Sequence, residues 1–154
     1  MIAIEPAISA DIPALCDLLS LLFAQEADFV PDRAKQERGL RLILDDPRVG
    51  VILVARNGDA VVGMVNLLFT VSTAEGARVM LLEDMIVRPD HRGHGVGLQL
   101  IEAAIARATE EGCARITLLT DEDNNQAQWF YGRAGFRRSA MIPMRRAIAV
   151  SGSG

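Results

Sequence analysis

Cysteine is scarce in this chain of 154 residues: Cys16 and Cys113 stand far apart, each among apolar neighbours. A disulfide framework is therefore not expected, and a reducing, cytoplasmic setting fits better. Histidine is equally thin, with only His91 and His94. No third histidine or cysteine pair stands with them, so no metal site is expected. Long apolar runs are missing too; none approaches the roughly 18 residues of a membrane span. Met1-Ile-Ala-Ile-Glu-Pro6 lacks the basic start of a signal peptide. Nor is positive charge in excess, since 16 Lys and Arg face 20 Asp and Glu for a net charge of −4. That balance argues against nucleic acid or an anionic membrane as the main partner.

What is plentiful is apolar. Half of the residues are hydrophobic and 23% are charged, as in an ordinary globular protein. The length suits a single domain over residues 1–150, with Ser151-Gly-Ser-Gly154 as a flexible tail.

The pattern along the chain mixes strands and helices. Residues 2 to 5 read as a short strand, broken at Pro6, and Ser9 as the cap of a helix with Ile12, Leu15, Leu18, Leu19 and Leu22 on one face. Pro31-Asp32 starts a second helix, which Asp45-Asp46-Pro47 stops. Runs at 51–55 and 60–71 flank Arg56-Asn57-Gly58-Asp59, a hairpin signal. Ser72 to Gly76 is a second turn, and 79–88 a third strand, ended by Pro89. From Val96 to Glu111 the period becomes helical, with Gly112 as the stop. Ile116 to Leu119 forms a short strand and Asn124 to Ala134 a short helix, closed by Gly135. Phe136 to Val150 has room for one or two further strands, interrupted by Pro143. The class is α/β, a mixed central sheet flanked by helices.

The most informative stretch is His91-Arg-Gly-His-Gly-Val-Gly97, between the third strand and its following helix. Such a loop offers unpaired backbone N–H groups at the positive end of a helix dipole, which suits phosphate. Arg92 adds a permanent charge. A nucleoside triphosphate loop would need Gly-Lys-Ser/Thr, absent here. A dinucleotide fingerprint needs Gly-x-Gly-x-x-Gly, and Gly93-x-Gly95-x-Gly97 is one residue too tight.

A third pattern fits. Arg92-x-x-Gly95-x-Gly97, following Leu81-Leu-Glu-Asp-Met-Ile-Val-Arg-Pro89, resembles the acetyl-CoA loop of the GNAT family of N-acetyltransferases. Asn124-x-x-Ala127-x-x-Phe130-Tyr131-x-x-x-Gly135-Phe136 resembles that family's second motif. The resemblance covers roughly 79–137 in detail and implies the GNAT-like acyl-CoA N-acyltransferase fold. It also implies acetyl-CoA as co-substrate, its pyrophosphate held by Arg92, Gly93, His94, Gly95, Val96 and Gly97. Met85, Ile86 and Val87 would meet the pantetheine arm with backbone groups, together with Asn124. Arg133 would approach the outer phosphates, or stand as a solvated helix charge.

Acetylating an alkyl amine requires removal of a proton from an ammonium of pKa about 10. Tyr131, the one tyrosine of the chain, matches the family's general acid. Glu83, inside an otherwise apolar strand, is the preferred base, with Asp84 second and water alone as the remaining option. Strand alternation puts Asp84 on the opposite face from Glu83. Trp129 reads as core or as a wall near substrate. Glu26, Asp28 and Asp32 are either solvated surface or an attraction for the amine. The favoured function is transfer of acetyl to a primary amine of a small molecule. Acetylation of a protein N-terminus or lysine, and a silent CoA-binding regulatory module, are the alternatives. Relatives often form homodimers.

Overall fold

The computed structural model describes residues 1–26 and 30–150. Asp28 and the tail 151–154 lie outside the described residues. The chain divides into two compact units, Met1–Leu119 and Thr120–Gly154.

The first unit is built on a five-stranded sheet in the order β1-β2-β3-β4-β5, comprising Ile2–Pro6, Gly50–Asn57, Ala60–Ser72, Ala77–Val87 and Ile116–Leu118. The first four strands are antiparallel neighbours, and β5 joins β4 in parallel. The hairpin expected at Asn57-Gly58 forms, with Gly58 at φ +62°. Two helices, α1 (Ile12–Gln25) and α2 (Arg33–Leu44), precede the hairpin, and α3 (Val96–Glu110) crosses from β4 to β5.

Parity along the strands sorts these helices onto faces. Ile52, Val54, Met64 and Ile86 are buried in one cluster with Ile12, Leu15, Leu18 and Leu19 of α1 and Leu40 of α2. Gly63, one residue out of step with Met64, turns to the other face. A methyl group on it would lie 3.2 Å from Leu100 of α3, so glycine is what admits that helix. Val96, Leu100, Ile101, Ala104 and Ala108 form the buried stripe of α3. The sheet is thus mixed and covered on both faces, as the pattern implied.

Three local expectations need correction. Ser9 does not cap α1; it begins a 3-10 turn, Ser9–Asp11, and the helix starts at Ile12. Asp11, 6% exposed, is committed instead: it accepts from the Ile8 amide at 2.8 Å and from Arg56 at 2.8 and 2.6 Å. Arg56 also reaches Glu5. Asp32 does cap α2, accepting from the Lys35 amide at 3.2 Å.

The second correction concerns the second unit. Its described residues hold one helix, α4 (Asn125–Arg133), and no strand between 136 and 150, where one or two were expected. Every residue from 137 to 150 is exposed. Pro143 removes a ladder donor, and Arg137-Arg138 and Arg145-Arg146 interrupt the alternation that would bury one face. Trp129 supplies the third correction. At 64% exposure it is no core residue, and the Arg133 guanidinium lies 4.9 Å from its ring centre.

Candidate active site

Strand β4 does not run evenly. Met64 pairs with Ile86 and Asn66 with Glu83, so Val65 faces two residues, Asp84 and Met85. That is a β-bulge, which leaves the extra residue unpaired and interrupts the ladder. Asp84 sits in it at φ +54°, the one non-glycine with positive φ among the described residues. Simple alternation therefore fails at Asp84, and its carboxyl is not free in solvent. It accepts from Asn66 Nδ2 at 2.7 Å. Burial pushes the Asp84 carboxyl above the usual carboxylate range, and the Asn66 hydrogen bond opposes that rise. Glu83, the preferred base, is exposed.

Past the bulge, Met85 and Val87 are half-buried and Ile86 is buried. The strand ends at Val87 and a 3-10 turn, Pro89–His91, follows. His91 is held at both ring nitrogens, 2.9 Å from Asp90 Oδ1 and 3.2 Å from Asn57 Nδ2. Arg92 folds back so that Nε donates to the Val87 carbonyl at 3.1 Å.

Gly93 and Gly95 both stand at φ +80°, where an L side chain is strained. The space over them is open: a methyl group on either would meet no atom within 4 Å. Gly95 is the residue before α3, and no side chain caps that helix and no acid sits in its first turn. An uncapped first turn behind two left-handed glycines suits a phosphate group. Arg92 and His94 are exposed beside it, whereas Val96 is buried and has only its amide to offer.

The first unit thus brings Glu83, Asp84, Met85–Val87 and Arg92–Gly97 into one continuous strand, loop and helix start. Asn124, Tyr131 and Arg133 belong to the second unit. Asn124 caps α4, accepting from the Ala127 amide at 3.0 Å, which leaves its amide NH2 for other use. Tyr131 packs edge-on against Phe130 and Phe136, with ring centres 5.2 and 5.8 Å away. Burial pushes its phenol up to about 12.

The family model described as "Acetyltransferase (GNAT) family" matches residues 12–136. The chain belongs to this acetyltransferase family. The family's acetyl donor is acetyl-CoA, and the loop's open glycines and uncapped helix start fit its phosphates. An aminoalkylphosphonate N-acetyltransferase of Salmonella typhimurium is 29% identical over 133 residues, 86% of this chain and 83% of that protein. A thialysine N-epsilon-acetyltransferase of Bos taurus is 35% identical over 78 residues, 51% of this chain and 45% of that protein. The chain spans about half the length of several curated relatives it matches, 58% and 45% in two cases. A possible acetyltransferase of Clostridium difficile has the same fold, with a TM-score of 0.87 at 16% identity, covering 97% of this chain and 99% of that one.

Two features of the site escaped the sequence reading. The bulge at Asp84 had no local signal beyond an acidic pair in a strand. Asn66 had one: it is a lone amide in the apolar run Ala60–Val71, and it is 3% exposed.

Proposed function

We propose that the protein moves an acetyl group from acetyl-CoA to a primary amine of a small molecule. The observation that carries this is the loop Arg92–Gly97, with two left-handed glycines opening an uncapped α3 directly after the bulged β4. Backbone amides of residues 93–97 and the Arg92 guanidinium would hold the pyrophosphate, with His94 beside them. Met85, Ile86 and Val87 would meet the pantetheine arm along β4, with the free NH2 of Asn124 as a further contact and Arg133 near the outer phosphates. The cofactor supplies an activated thioester. The bulge leaves backbone N–H groups able to stabilise charge on the thioester oxygen.

The amine arrives as an ammonium, and one of the two adjacent carboxylates, Glu83 or Asp84, takes its proton. Tyr131 donates to the departing sulfur. A phenol near 12 keeps its proton at neutral pH, so its first service is a steady hydrogen bond. Small amines are favoured because the relatives named above act on an aminoalkylphosphonate and on thialysine. A cytoplasmic setting fits the two free thiols.

The test is release of free CoA thiol from acetyl-CoA with aminoethylphosphonate, thialysine, simple alkyl diamines and lysine-containing peptides. Turnover with small amines that exceeds turnover with peptides supports the reading. Peptide acetylation alone would replace it with protein acetylation, and binding of acetyl-CoA without any turnover would leave a regulatory module.

A further inference from the structure

Asn66 and Asp84 break local rules that neighbouring residues obey. Asn66 Nδ2 donates to Asp84 Oδ2, but Asn66 Oδ1 is buried and accepts nothing. A buried carbonyl left unpaired forfeits the hydrogen bonds it would make in water. Asp84 holds a backbone conformation that glycine would adopt without strain, and it withdraws a carboxyl from water. Strain and desolvation that a simpler residue would relieve are expected where chemistry requires them.

The chemistry is visible in what the pair can exchange. With Asp84 ionised, the Asn66 NH2 donates to the carboxylate, as observed. With Asp84 protonated, a half-turn of the amide lets the carboxylic acid donate to Oδ1, the atom now without a partner. In both states the carboxyl keeps its hydrogen bond and one half of the amide goes unpaired. The pair therefore accommodates a proton without rebuilding its surroundings.

We propose that Asp84 accepts the proton of the incoming ammonium and that Asn66 is its positioning residue, turning its amide to follow that proton. This rests on the amine acetylation proposed above and assigns the base within it. The ammonium N–H bond breaks to Asp84, leaving a neutral amine whose lone pair forms the new C–N bond as the C–S bond breaks. The second amine proton ends on the departing thiolate, and Asp84 returns its own proton to water. The charged and titratable groups on the elements packed against β4 are Cys16 and Asp17 of α1 and Glu102, Arg107 and Glu110 of α3, with Glu83 beside Asp84 on the strand. Neither β3 nor β5 adds one; burial raises the proton affinity of Asp84, and the Asn66 hydrogen bond opposes that rise.

The test uses the full chain and two readouts. Infrared titration without substrate should show a buried carboxylic acid band that persists above the usual carboxylate range, vanishes in Asp84→Asn and changes frequency in Asn66→Leu. In turnover with acetyl-CoA and aminoethylphosphonate, Asp84→Asn and the backbone-compatible Asp84→Gly should lose about a hundredfold or more in kcat, with acetyl-CoA affinity kept. Asn66→Leu should move the acidic limb of the pH–rate profile to higher pH, because it removes the hydrogen bond that favours the carboxylate. An absent band, or an acidic limb that stays in Asp84→Asn and disappears in Glu83→Gln, would overturn the assignment. A wild-type protein with the band but no amine turnover would instead overturn the proposed function, and with it this role in catalysis.

Discussion

Tyr131 can be read alone, because no other tyrosine contributes to the tyrosinate absorbance of this chain. Burial raises its phenol from 10.0 to about 12. Two units of difference between folded and unfolded states correspond to about 3 kcal/mol by linkage. The sign follows from which state binds the proton more tightly. Below pH 10 the phenol is protonated in both states, and the stability is fully present. Above pH 10 the unfolded chain ionises while the folded chain does not, so stability falls until the pH passes about 12. Absorbance titration should therefore show tyrosinate forming near 12, or in one cooperative step if the chain unfolds first. Urea midpoints measured up to about pH 11 should decline for the wild type and much less for Tyr131→Phe. A reversible midpoint near 10 with circular dichroism unchanged would refute the burial, and with it the idea of a phenol held protonated until the thiolate departs.

The ion pair at the start of α1 is a stability prediction. Asp11→Ala should cost about 3–5 kcal/mol in denaturant unfolding, since it strips a buried partner from Arg56. The Arg56 hydrogen bonds hold the Asp11 carboxyl below the usual range, so its contribution is present above about pH 4 and is lost as the pH falls further. A loss under 1 kcal/mol would mean that Glu5 suffices for Arg56. Asn124 has a cap role and a proposed cofactor role, which two variants separate. Asn124→Ala should cost about 1 kcal/mol of stability, whereas Asn124→Ser keeps the cap and should lose only acetyl-CoA affinity. Equal affinity in the wild type and the serine variant would remove the cofactor contact.

The strands and helices up to Leu118 were legible because their signals are local: Asn57-Gly58 at the hairpin, Asp32 before α2, and Gly112 at φ +71° after α3. The glycine loop was legible for the same reason, being a contiguous run whose Gly93 and Gly95 take positive φ before α3. What stayed hidden depends on partners distant in sequence. Asp11 carried no signal of its own, and only Arg56, 45 residues away, makes it a buried anchor. Asp84 looked like the far side of an alternating strand, and only the register against Val65 and Asn66 shows that alternation stops there. The stretch 137–150 carries apolar residues in short runs between arginine pairs rather than in alternation, and Met141, Ile142 and Met144 around Pro143 are all exposed.

The most direct test is calorimetric titration of the protein and of Gly95→Ala with acetyl-CoA. The added methyl meets no atom within 4 Å, so its cost to the free protein is the strain of φ +80°, about 1–2 kcal/mol, which a thermal melt can confirm is tolerated. Micromolar binding to the wild type, lost or weakened at least tenfold in the folded variant, is the predicted result. No binding to the wild type, or equal binding by both proteins, would contradict the assignment of the glycine loop to the cofactor's phosphates.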